Sequence, residues 1–209
     1  MRPDRKDSAV SSVANPAHLP DDLPVPVNDG TCDHLPGMTV PSIPLPATSG
    51  AIVDLSVLPG RTVVYAYPRT RPPGEDAPRD WDLIPGARGC TPEACAFRDH
   101  HGELHALGAQ VFGLSTQSTL FQREVGERLG LPFSLLSDET LQLTRALQLP
   151  TFPYNGETLI ARLTLVIRDG VVEHVFYPVF PPDTHAEAVV AWLAGTPDRI
   201  GRQASPPSE

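Results

Sequence analysis

Cys90 and Cys95 stand at either end of the segment Gly89-Cys90-Thr91-Pro92-Glu93-Ala94-Cys95-Ala96-Phe97-Arg98-Asp99. Thr91-Pro92-Glu93-Ala94 reads as a helix start, with a capping hydroxyl, a proline in the first turn and an acid near the positive end of the dipole. A cysteine at such a start meets unpaired backbone N–H groups, which favour thiolate over thiol, so Cys90 is placed to act as a nucleophile. Cys95 lies among Ala94, Ala96 and Phe97 and reads as a packed thiol that matters only when the helix moves. Residues five apart in a regular helix have Cα atoms roughly 8–9 Å apart. A disulfide tolerates at most about 7 Å, so a Cys90–Cys95 bridge would require the first turn to unwind. Cys32 has no helix behind it and reads as a lead-in residue. A rival use of the same segment is a structural zinc site drawn from Cys90, Cys95, His100, His101 and His105, since Cys/His mixtures suit zinc. Against it, the two cysteines fall on different faces of one helix.

These residues need a scaffold. Thr62 to Tyr67 is a β-branched and aromatic run suited to a central strand, and Pro68 ends its ladder. Residues 69–89 form a long connection with Pro72-Pro73-Gly74, acids at 75, 76, 80 and 82, and Trp81. Connections of that length are usually functional. The active helix should run to about Leu107, followed by a strand over Gln110–Ser115, a helix over Ser118–Leu129 stopped by Gly130, a short extended piece at 133–136 and a helix from Asp138 to Leu147. Leu159–Ile167 reads as a strand, Asp169-Gly170 as a hairpin turn and Val171–Tyr177 as its partner. A helix from Thr184 to Leu193 closes the chain, with Ala188, Val189 and Trp192 facing inward. This order calls for an α/β sandwich with a mixed central sheet.

The chain has 209 residues, 16 Lys+Arg against 25 Asp+Glu, a formal charge of −9, 40% hydrophobic residues and 25 prolines. That charge argues against nucleic-acid binding, and no run approaches the roughly 18 apolar residues of a membrane helix. The first residues lack the apolar core of a secretory signal, so a reducing cytoplasm is the expected location. Three cysteines are too few for a disulfide scaffold. Prolines are dense up to Pro46, which leads us to expect a disordered tail and an extended lead-in over 1–48, a single domain over 49–195 and a flexible tail over 196–209.

The segment GCTPEACAFRD resembles the active-site helix of peroxiredoxins, above all the Q type, also called bacterioferritin-comigratory proteins, whose second cysteine follows the first by five residues. Similarity continues through Tyr67-Pro68, Val111–Thr116, Leu131–Asp138 and Ala161–Ile167. The resemblance implies a thioredoxin-like fold and reduction of hydrogen peroxide or organic hydroperoxides without a cofactor, in a monomer or weak homodimer. Cys90 would become a sulfenic acid, Cys95 would resolve it to a disulfide, and a thioredoxin-like reductant would regenerate the pair. Arg162, which interrupts an apolar strand, would lie beside the thiolate, and Glu93 would orient active-site arginines. The match is incomplete, because the family's motif proline and threonine correspond to Leu83 and Ala87. Tyr67-Pro68 also lies 22 residues before Cys90 instead of seven, an insertion of about fifteen. We expect residues 69–89 to form an ordered flap beside the active-site helix. Trp81, Leu83 and Ile84 would supply its apolar surface, its acids would point away, Arg88 and Arg162 would be the nearer charges, and Thr70 would replace the missing hydroxyl. The competing outcome is a thioredoxin-fold disulfide oxidoreductase or binding module without peroxidase activity.

Overall fold

The computed structural model describes residues 19–196 apart from 21, 76 and 79. The expectation of a disordered tail falls largely on residues 1–18, outside the described ones, as does the carboxy-terminal tail beyond Thr196. The lead-in departs from expectation. Leu35, Val40, Leu45 and Ala47 are buried, and β1 (Pro44–Pro46) pairs antiparallel with β2 (Ile52–Asp54). The packed unit therefore begins well before residue 49, because apolar side chains alternate with the prolines and reach the sheet even where proline removes ladder donors.

The central strand is β3 (Arg61–Ala66), buried along its whole length. The chain then passes through the 69–89 segment, whose described residues include a short 3₁₀ turn at Trp81–Leu83, into α1 (Cys90–Asp99) and α2 (His101–Ala106). The helix expected to continue to Leu107 is thus broken at His100, whose φ −93° and ψ 5° leave the helical region. Next come β4 (Ala109–Ser115), α3 (Thr119–Leu129), β5 (Leu135–Ser137) and α4 (Gln142–Ala146). Ser118 caps α3 by accepting from the Phe121 N–H, and Gly130 ends it in the left-handed region. The fourth helix starts later than expected because the Asp138 carboxylate accepts from the N–H groups of Leu143 and Thr144 and holds the preceding turn outside the helix.

The largest correction lies between 150 and 168. In place of one strand over Leu159–Ile167 there is a hairpin of β6 (Thr151–Tyr154) and β7 (Glu157–Ile160), a break, and then β8 (Leu163–Arg168). The turn is Asn155-Gly156, with φ of 49° and 80°. Asn-Gly flanked by extended residues is a strong hairpin signal in sequence. β9 (Val171–Phe176) follows the expected Asp169-Gly170 turn, and α5 (His185–Gly195) closes the fold with Ala186, Val189 and Leu193 buried. Ala188, expected inward, is exposed, so the helix is rotated from the assumed phase.

The five-stranded sheet has the order β5-β4-β3-β8-β9, with β3, β4 and β5 parallel and β8 antiparallel to both neighbours. Period-two alternation sends Val63 and Tyr65 into one core with Phe97, Val125, Val166 and Val189, and Val64 and Ala66 into the other with Leu35, Leu45, Leu143 and Leu165. Helices α1, α3 and α5 cover the first face; the lead-in and α4 cover the second. This is the expected mixed α/β sandwich. Its consequence for the site is that α1 begins at the carboxyl edge of β3, beside the break that precedes β8.

Candidate active site

Cys90 is the first residue of α1 and is 5% exposed. Gly89 precedes it at φ 103°, a backbone conformation that L side chains rarely adopt. A Cβ on Gly89 would lie 2.3 Å from Pro182 Cγ, so the entry to the helix is fixed by close packing as well as by backbone freedom. The Cys90 thiol reaches the Ala87 carbonyl at 3.6 Å, within the turn that leads into the helix.

Arg162 comes from the opposite side of the sequence. Between β7 and β8 the chain leaves the ladder, with the Ala161 N–H donating to the Pro150 carbonyl at 2.8 Å, and this turns the Arg162 side chain into the protein. Its Nη2 donates to the Cys90 sulfur at 3.2 Å and to the Arg88 carbonyl at 3.1 Å. Nε donates to the Gly86 carbonyl at 3.1 Å, and Nη1 pairs with Glu93 Oε2. Every donor edge of the guanidinium is engaged, which fixes its plane against the sulfur. A positive charge is thereby held against the sulfur, and its donors match oxygens that gain negative charge during attack.

Glu93 is fully buried, and its Oε1 has no hydrogen-bond partner among the described residues. Burial pushes its carboxyl up to about 7, with the Arg162 charge offsetting part of that rise. Cys95 is partly buried on the same helix, five residues from Cys90, and burial raises its thiol pKa while Arg98 opposes the rise. Both thiols are free. Cys32 lies in the core on the other face of the sheet, its thiol pushed up to about 12 by burial and by Asp29 and Asp33. Among the described residues no three His, Cys, Asp or Glu side chains converge as a metal site. Cys90 faces Arg162, while the His101 ring lies against Phe133 at 5.8 Å between centroids.

The described residues of the 69–89 segment pack against different neighbours from those expected. Trp81 and Ala87 are buried against Tyr154 and Leu159 of the β6–β7 hairpin, with the Trp81 and Tyr154 rings at 4.8 Å. Leu83, expected to pack, is 75% exposed. Arg69 pairs with Glu157 of β7 at 2.8 Å, and the Tyr154 hydroxyl donates to Asp80 at 3.3 Å. The hairpin that the sequence reading overlooked is therefore the platform for the segment. Asp82 turns to Arg88 at 3.0 Å, so the Arg88 side chain faces an acid instead of the sulfur. Glu75 differs from expectation, since it lines the cleft above Cys90 as an exposed rim residue. Asp76 lies outside the described residues.

Thr70 is buried and lines that same cleft with Cys90, Gly89 and Pro92. Gln117 holds it at three points: the Thr70 N–H and hydroxyl donate to Oε1 at 2.8 and 3.1 Å, and Nε2 donates to the Thr70 carbonyl at 3.1 Å. With its proton directed to Gln117, the hydroxyl keeps lone pairs for another donor. Sequence reasoning had no signal for Gln117, which lies 47 residues from Thr70.

The Redoxin family model matches residues 35–190. Peroxiredoxin Bcp of Escherichia coli (strain K12) is 33% identical over 162 residues, 75% of this chain and 94% of that protein. Chloroplastic peroxiredoxin Q of Oryza sativa subsp. japonica is 33% identical over 151 residues, 71% of this chain, and the match spans 62% of the rice protein's length. The crystal structure of peroxidoxin BcpB from Mycobacterium tuberculosis superposes with a TM-score of 0.64 at 28% identity, covering 79% of this chain and all of that one (100%). With the helix-start cysteine, the buried arginine beside it and the mixed five-stranded sheet, the chain belongs to the redoxin family, among the peroxiredoxins of the Q/Bcp type.

Proposed function

We propose that this protein is a thiol-dependent peroxidase that reduces hydrogen peroxide or organic hydroperoxides. The observation that carries the reading is the Arg162 guanidinium 3.2 Å from a cysteine sulfur at a helix amino terminus. The Cys90 thiolate attacks the terminal peroxide oxygen; the S–O bond forms, the O–O bond breaks, and the departing alkoxide or hydroxide takes up a proton to leave as alcohol or water. Arg162 stabilises the charge that spreads over both oxygens, and the Thr70 hydroxyl accepts from the peroxide O–H. Glu93 is a positioning residue that holds the guanidinium plane. Cys90 is left as sulfenic acid. The Cys95 sulfur then attacks it, a disulfide forms and water leaves, after which a thioredoxin-like dithiol reduces the bridge and is itself oxidised.

The Xanthomonas campestris bacterioferritin comigratory protein, whose structure was determined in work on its alkyl peroxide reduction activity, shares this fold with a TM-score of 0.59 at 24% identity, over 84% of this chain and 99% of that one. That is consistent with the substrate class assigned here. No helix among the described residues is long and apolar enough to cross a membrane. We assign the protein to a reducing cytoplasm, acting as a monomer or weak homodimer. Stopped-flow mixing of the reduced protein with hydrogen peroxide should show rapid loss of one thiol, abolished in Cys90→Ser. Consumption by Cys90→Ser as fast as by the unmodified protein would overturn the reading.

A further inference from the structure

The cleft above Cys90 holds more than hydrogen peroxide requires. Its mouth is open to solvent, so an organic hydroperoxide can extend outward from the sulfur. Ala77, Trp81 and Pro92 give it apolar wall, and Arg69, Arg71 and Arg88 stand around it. Two of these arginines are already matched by acids, Arg69 by Glu157 at 2.8 Å and Arg88 by Asp82 at 3.0 Å. Arg71 has no carboxylate within ion-pair distance among the described residues; its guanidinium carbon lies 5.1 Å from the centroid of the Trp81 ring.

That placement suits recognition. A guanidinium resting on an aromatic face keeps its in-plane N–H donors for a ligand, and the ring limits its rotamers before anything binds. Trp81 is itself immobilised by the Tyr154 ring, and the Arg71 carbonyl is tied to α3 by a hydrogen bond from Arg128 Nη2 at 3.1 Å. Burial, with Arg88 and Arg69 nearby, lowers the Arg71 pKa, the mark of a cation without full compensation. Glu75 is the one carboxylate among the described lining residues; it is exposed and makes no ion pair with Arg71. An anion arriving at the mouth would therefore meet a guanidinium with donors to offer.

We propose that Arg71 binds the carboxylate of organic hydroperoxides whose O–O group reaches Cys90, so that the enzyme prefers hydroperoxides bearing a remote anionic group. The proposal rests on the peroxidase reading above. The apolar wall would cover the hydrocarbon between the two ends. Because the carboxylate takes no part in O–O cleavage, Arg71 contributes equally to ground and transition states, and its effect belongs in the second-order rate constant, not in the saturated rate.

The test uses reduced full-length protein in stopped flow with 6-hydroperoxyhexanoic acid, its methyl ester and hydrogen peroxide. The acid should react at least about tenfold faster than the ester, an advantage that shrinks with added salt. Arg71→Gln should bring acid and ester within about twofold of each other, and Arg71→Lys should retain part of the preference. Equal rates for acid and ester in the unmodified protein would overturn the proposal while leaving the peroxidase reading intact. So would a preference that survives in Arg71→Gln. Failure to consume any of the three peroxides would instead remove the peroxidase reading and this proposal with it.

Discussion

Arg162 Nη2 lies 3.2 Å from the Cys90 sulfur, although 72 residues separate the two in the chain. The same guanidinium pairs with Glu93, three residues along the helix from Cys90, so one buried cation serves two acidic groups on one turn. Any change in the charge of one is felt by the other through Arg162.

Arg162→Lys keeps the charge and loses the fork. An ammonium cannot reach the sulfur, Glu93 and the Gly86, Ala87 and Arg88 carbonyls together, so the peroxide rate constant should fall by roughly 100-fold or more. The rate of Cys90 alkylation by iodoacetamide, measured alongside, separates a weakened nucleophile from simple misplacement of substrate. An unchanged alkylation rate would show that Arg162 acts on the peroxide alone.

Glu93 should make folding stability depend on pH in an unusual direction. Its carboxyl is pushed up to about 7 in the folded protein from an ordinary value of 4.5. The folded state therefore binds the proton more tightly, so this contribution is fully present below about pH 4.5 and is lost as pH rises through about 7. The loss is ~3 kcal/mol at most. Urea denaturation at several pH values should show Glu93→Gln varying less across that window than the unmodified protein. If the two curves run parallel, the carboxyl titrates as an ordinary one.

Thr70 should act as the peroxide acceptor that Ala87 does not provide. Thr70→Val retains the shape and the backbone bonds to Gln117 but removes the hydroxyl; the peroxide rate constant should fall by more than about tenfold. Cys90 should still alkylate readily in the absence of peroxide. An unchanged peroxide rate would remove Thr70 from the site and leave Arg162 and the backbone to position the substrate.

Oxidation should rebuild the start of α1. Cys90 and Cys95 lie within one continuous helix, and the first turn is held by the Glu93 N–H donating to the Gly89 carbonyl at 3.0 Å. A bridge between the two sulfurs breaks this turn. Peptide mapping of oxidised protein should find Cys90 joined to Cys95, with faster amide exchange over residues 90–98. A Cys90–Cys32 bridge or an intersubunit one would contradict the proposed resolving step.

The helix start at Thr91-Pro92-Glu93 was legible in sequence because proline in the first turn and an acid at the positive end act within one turn; the expected Thr91 cap is absent, since the helix begins at Cys90 and its N-cap is Gly89. The alternation that sends Val63 and Val64 to opposite faces of β3 was legible for the same reason, since the period of a strand is set by its own backbone. Asn155-Gly156 carried an equally local signal that the sequence reading passed over, and with it the hairpin that carries the 69–89 segment. Gln117 against Thr70, Trp81 on Tyr154 and the inward turn of Arg162 carried no such signal. An arginine breaking an apolar strand reads equally well as solvent-facing, and only packing decides between the two. That decision requires the β7–β8 break, the loop before α1 and the burial of Glu93 to occur together, so that a cation costly to desolvate finds a partner for each of its three nitrogens. Those partners lie 69 to 76 residues away in the chain, beyond anything that local propensity encodes.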